Sequence, residues 1–137
     1  MSAQTAYKKY KEVQVNTANR GKLLIMLYQG CIKFLRVAKK CIEEEDIQGA
    51  NNYILRSQAI IRELMYTLDR EKGGELADNL YNLYDFMNRE LIDANVKKDI
   101  EKVEVVEDLM LELLESWQEV ANGQQQQNGK TQINSRA

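Results

Sequence analysis

Apolar residues recur at three- and four-residue intervals through most of the chain, and no stretch alternates with the two-residue period of a half-buried strand. Leu24, Leu27, Tyr28, Cys31, Leu35, Ala38 and Ile42 make the first stripe. Ile47, Ala50, Ile54, Ser57, Ile61, Leu64 and Leu68 make the second, stepping by threes and fours over three heptads. The third is Leu76, Leu80, Leu83, Met87, Leu91 and Ala94, and the fourth Val103, Val106, Met110, Leu113, Trp117 and Val120. One apolar face per segment at helical spacing predicts four amphipathic helices and an all-α fold.

The interruptions carry helix-terminus chemistry. Glu43 to Asp46 ends the first stripe, and the Asp46 carboxylate can cap the next helix. Gly73-Gly74 is expected to separate the second and third helices, with Glu75 and Asp78 near the new N-terminus. Asn95 to Lys98 closes the third, and Asp99 can cap the fourth, with Glu101 in its first turn. Connections this short predict antiparallel neighbours, hence an up-down-up-down four-helix bundle over residues 20–121.

Two segments lie outside those stripes. Ala3, Tyr7 and Tyr10 share a helical face, with Val13 close behind, so residues 1–19 read as a short helical segment. A helix of that length is marginal alone in water, so it needs a groove to lie in and works as a detachable lid. Residues 122–137, with the Gln124 to Gln127 run, bury too little apolar surface to order themselves and are expected to be a disordered tail.

Composition narrows the chemistry. The chain has 137 residues, no proline and no histidine. That length suits one domain, and helices without proline run uninterrupted. The lack of histidine excludes the Glu-x-x-His di-iron site of some bundles and any scheme needing that general base. Cys31 and Cys41 on one helix would sit about 15 Å apart, too far for a disulfide. No catalytic constellation, cofactor motif or metal-ligand spacing emerges. Glu43 to Asp46 point in different directions at a helix end, and Gly73-Gly74 lacks the Lys-Ser/Thr of a phosphate loop. The chain reads as a non-enzyme. It also has no apolar run of the roughly 18 residues needed to span a membrane and no leader-like apolar start, which fits a reduced, cytoplasmic protein.

Charge is uneven. Residues 1–41 hold nine basic side chains against Glu12 alone, and the remainder holds ten basic against twenty acidic, for a net −2. Either the basic first and acidic fourth helices meet inside the fold, or a basic surface steers an acidic partner. Nucleic-acid binding fits poorly with so acidic a fourth helix. Seven tyrosines against two phenylalanines give ring surface with polar tips, as protein interfaces use. Tyr53, Tyr66, Tyr81 and Tyr84 fall on or beside the core stripes, whereas Tyr7 and Tyr10 precede the bundle.

The ordered details resemble a known family. Tyr7-x-x-Tyr10, Val15 to Ala18 and Leu24 to Gly30 resemble the opening of FliS, the flagellin export chaperones. The likeness continues through Ala59 to Leu64, Gly73 to Ala77, Leu83 to Met87 and Leu91 to Asn95, from about residue 6 to residue 120. Asn19-Arg20-Gly21 departs from the small residue and proline often found there in the family. The resemblance implies a helical bundle that binds the C-terminal segment of flagellin in the bacterial cytoplasm. It thereby blocks premature polymerisation and serves the flagellar type III export apparatus, with the export gate and other flagellar regulators as further partners. It implies neither cofactor nor metal. On this basis the partner-binding candidates are Tyr7 and Tyr10 as lid residues, Leu27 and Tyr28 near the groove, Tyr84, and Asn52 and Asn88 as polar contacts. Ordinary surface roles for the two asparagines stay open. A general helical scaffold binding a regulatory flagellar protein is the alternative.

Overall fold

The computed structural model describes residues 20–136, with side chains to residue 123, together with Thr5 and Lys8 ahead of them. Among the described residues every regular element is helical: α1 (Arg20–Glu43), α2 (Ile47–Thr67), α3 (Arg70–Lys97) and α4 (Ile100–Arg136). α1 packs against α2 and α4, and α3 packs against the same two, so the helices form a ring in which α1 and α3 face each other only across a diagonal. The result is a four-helix bundle. Tyr7 and Tyr10, and the lid they were expected to form, lie outside the described residues.

The periodic stripes become the core. Cys31, Leu35 and Ala38 of α1, Ala50, Ile54 and Ile61 of α2, Met87, Leu91 and Ala94 of α3, and Val103, Val106 and Met110 of α4 are fully buried. Only stripe ends depart from the pattern. Ile47 is exposed in the first turn of α2, Leu76 just after the Gly74 kink of α3, and Val120 on α4 well beyond its last fully buried residue, Met110. Cys31 and Cys41 are both free and buried, and burial pushes the Cys31 thiol up to about 12, so it is an inert core group.

Side chains fix the helix boundaries. The Asp46 carboxylate accepts the Gly49 N–H at 3.0 Å and caps α2. Asp99 accepts the Glu101 N–H at 3.0 Å at the start of α4. The α2–α3 corner differs from the expected Gly73-Gly74 break. Leu68 turns to extended backbone and ends α2, and Asp69 caps α3 by accepting the Lys72 N–H at 3.0 Å. Gly74 then lies inside α3 as a kink, with φ 57° and ψ −135°, a conformation that a side chain with a Cβ resists. Arg70 spans the kink, 3.1 Å from Asp78 and 4.3 Å above the Tyr81 ring.

The α4 backbone is helical to Arg136. The glutamine run carries no helix breaker stronger than Gly123 and Gly129, so nothing local terminates the helix after it leaves the core.

The charge asymmetry is partly spent within the bundle. Lys39 Nζ and Arg36 Nε of α1 lie 2.6 Å and 2.9 Å from the two carboxylate oxygens of Glu107 on α4. The Glu107 side chain is only 8% exposed. Lys102 makes a similar link from α4 to Asp93 of α3, at 2.7 Å.

Candidate functional site: an apolar cavity at one end of the bundle

A concavity opens where α1 begins and α2 ends. It encloses about 580 Å³. Leu23, Leu24 and Leu27 of α1 form one wall, and Leu64, Tyr66 and Leu68 of α2 form another. Tyr84 of α3 and Trp117 of α4 complete it, with Arg20 and Glu63 at its mouth. The stripes explain why it is there. The α1 and α2 apolar faces run on past the last fully buried layer, so their terminal leucines point into a space that no described helix fills. Tyr66 beside it is 87% exposed. An open apolar cavity of this size at the end of the bundle is the candidate site.

Its polar groups are few and mostly engaged. The Tyr84 hydroxyl turns inward and hydrogen-bonds the Tyr28 hydroxyl, and the rings stand 6.5 Å apart. Burial raises the pKa of both phenols, most strongly that of Tyr84, so each stays protonated well into alkaline solution. The Thr67 hydroxyl donates to the Leu64 carbonyl at 2.9 Å. The Trp117 indole sits beside the Tyr28 hydroxyl and helps restrain the rise in its pKa. Even so, Trp117 Nε1 is buried without a hydrogen-bond acceptor of acceptable geometry.

The candidates from the sequence divide accordingly. Leu27 and Tyr84 line the cavity. Tyr28 lies one layer deeper, fully buried, and reaches the cavity only through its contact with Tyr84. Asn88 accepts a hydrogen bond from Gln58 Nε2 at 3.0 Å and ties α3 to α2. Asn52 is an exposed α2 residue that lines none of the described concavities. Leu23, Leu64, Leu68 and Tyr66 were missed as site residues. Leu64 and Leu68 were legible as the last members of their stripe, but a stripe alone does not tell a covered end from an open one.

A second, smaller concavity of about 330 Å³ runs between α2 and α3, lined by Leu55, Ile92 and Val96 with Asn51, Gln58, Asn95 and Arg62. A third of about 340 Å³ lies between α1 and α4, beside Arg36. Among the described residues no group of three His, Cys, Asp or Glu side chains could hold a metal ion, and no helix is long and apolar enough to cross a membrane.

The sequence pattern of one family, described as Flagellar protein FliS, matches residues 3–124. The chain belongs to the FliS family. Its relatives include the flagellar secretion chaperone FliS of Bacillus subtilis, 38% identical over 119 residues that cover 87% of this chain and 88% of the relative. The FliS of Campylobacter jejuni is 37% identical, covering 90% and 97%. That of Salmonella typhimurium is 33% identical, covering 88% and 93%. Among solved structures, a bacterial flagellar chaperone superposes with a TM-score of 0.74 at 19% identity, over 88% of this chain and 98% of that one. These FliS relatives are chaperones rather than enzymes, in keeping with a site built of leucines and aromatic rings.

Proposed function

We propose that this protein is a flagellin-specific secretion chaperone. It binds the C-terminal segment of flagellin in the bacterial cytoplasm, keeps it from polymerising and delivers it to the flagellar type III export apparatus. The observation that carries the reading is the open apolar cavity of about 580 Å³ in a chain whose relatives are flagellar secretion chaperones. An amphipathic helix laid into such a cavity gains apolar burial, and an unfolded cargo segment orders itself on the surface that needs covering. The short connections at 44–46, 68–69 and 98–99, together with the ring of packed neighbours, support an antiparallel up-down-up-down bundle.

Arg20, where the described bundle begins, lines the cavity. In this reading Tyr7 and Tyr10 belong to a lid that covers the cavity until cargo displaces it, so release of cargo never leaves bare apolar surface. Titration of the full chain with the C-terminal third of flagellin tests the proposal. Saturable binding at micromolar concentration is expected, and its absence sinks the reading. Removing residues 1–18 is expected to change that affinity with the bundle still folded, and an unchanged affinity rejects competition by the lid. The α2–α3 concavity with its exposed Leu55, Ile92 and Val96 favours the second reading, a scaffold for a regulatory flagellar protein. The same titration separates the two.

A further inference from the structure

The outward faces of α1 and α4 carry charge that the bundle does not use. On α1, Lys22, Lys33 and Lys40 are exposed along one face, with Gln29, Arg36 and the 62%-exposed Met26 between them. On α4, Glu101, Glu104, Asp108, Glu112, Glu115 and Glu119 are exposed at three- and four-residue spacing. Of all these, Arg36 alone forms an ion pair among the described residues, and its partner is the buried Glu107. Carboxylates spaced by one helical turn repel one another, so a row of cations laid over the α4 stripe relieves it. Between the two stripes lies the concavity of about 340 Å³, with Ile32, Val37, Leu111 and Leu114 in its lining. Lys33 borders it on the α1 side, and on the α4 side Leu111 is one turn from Asp108 and Glu115. One face thus presents a basic stripe, an apolar seam and an acidic stripe side by side.

Contacts within one molecule set the levels along that face. Arg36 and Lys39 meet Glu107, residues 29–37 share the concavity with Leu111 and Leu114, and Leu24 and Leu27 share the end cavity with Trp117. Residue numbers on α1 therefore fall as those on α4 rise. A two-fold axis laid along the seam carries α1 of one copy over α4 of another at unchanged level. Lys33 then faces Glu112 of the other copy, Lys40 faces its Glu104 and Lys22 its Glu119, and each contact occurs twice. A face with opposite stripes flanking an apolar seam is its own complement. A partner of single charge sign matches only half of it.

We infer that the α1–α4 face is a docking surface for a second copy of this chain, with the apolar seams at its centre and charge-matched flanks. From Lys22 to Lys40 the face is about 27 Å long, and two helices abreast are about 20 Å wide. Pairing then buries on the order of 1,000 Å² over both copies, at the small end for a specific complex, and association falls in the micromolar range. The seam shares no lining residue with the end cavity, so pairing leaves the cargo site its own residues.

Sedimentation equilibrium of the full chain tests the inference. A monomer–dimer equilibrium is expected, with affinity falling about tenfold between about 0.05 and 0.5 M salt. A chain still monomeric at about 100 µM, or a dimer indifferent to salt, overturns it. Lys33→Glu and Glu112→Lys alter exposed side chains. Each alone is expected to weaken the dimer about thirtyfold, because one reversal turns two contacts from attraction to repulsion. The deciding sample is the equimolar mixture of the two variants. In the mixed pair the two reversed positions meet each other, and so do the two unaltered ones, so dimer is expected to return at the parent affinity. Failure of the mixture to recover dimer overturns the inference. So do single variants that both pair at full strength, which places the contact elsewhere, the end cavity included. Unchanged helix content by circular dichroism separates lost pairing from lost folding, and if either variant unfolds, Lys40→Glu with Glu104→Lys makes the same test.

Discussion

Tyr28 and Tyr84 show what two residues do that neither stripe announces. Each is fully buried, each would be costly alone, and each satisfies the other. Burial holds both phenols protonated above the ordinary tyrosine value near 10. The sign follows from that rise. The native state is favoured in full below the unfolded pKa and loses stability as pH climbs toward the raised folded values. In a spectrophotometric alkaline titration, two of the seven tyrosines are expected to ionise only as the bundle unfolds. Tyrosinate signal from all seven before any loss of helix would contradict this. Periodicity puts Tyr28 in the first stripe and Tyr84 on or beside the third. It could not pair them, because they lie 56 positions apart on helices that share no backbone contact, and a period reports a face and no partner.

At the scale of the element, helix caps were the most legible feature. Asp46 and Asp99 cap as their sequence neighbourhood indicates, since a cap is chemistry within three residues. Gly49 adds a detail that no local rule contains. A Cβ built there would collide with the Asp46 carboxylate and come within 2.9 Å of Cys41 Sγ. The glycine thus makes room for the cap itself. Gly49→Ala is expected to cost about 1 kcal/mol or slightly more, near the value of a lost N-cap. Asp46→Ala should cost a similar amount, and the double variant clearly less than the sum, because both remove one interaction. Urea unfolding of the three variants checks this, and strict additivity would refute it. The α2–α3 corner departs from the break that the Gly73-Gly74 pair suggests, because Asp69 caps α3 before the pair is reached.

Over the whole molecule, the fold class was legible because four stripes must bury against one another, while the site was legible only in part because a cavity is a property of what is left uncovered. Leu27 and Tyr84 line the cavity, as does Trp117 of the fourth stripe, which periodicity alone assigns to the core. The opposed charges of α1 and α4 are the one long-range feature composition anticipated. Burial pushes the Glu107 carboxyl up, but the Lys39 ammonium and the Arg36 guanidinium more than reverse this and hold it below the ordinary glutamate range. The stability tied to that lowering is complete above the unfolded value near 4.3 and drains away as pH falls through the folded one. Glu107→Gln is expected to lose about 1.5 kcal/mol at neutral pH, the scale of hydrogen bonds to a charged group, and to show a shallower acid limb in urea midpoints measured against pH. An identical acid limb would remove Glu107 from the account. The diagonal of the bundle, finally, bears on how such a chain can drift. Because Tyr28 and Tyr84 are the bond that crosses it, a mutation at either position strands the other's hydroxyl, whereas two phenylalanines fill the same space with nothing left to satisfy. Descendants of this chain should therefore keep both tyrosines or lose both, with the intermediate genotype a narrow and short-lived bridge.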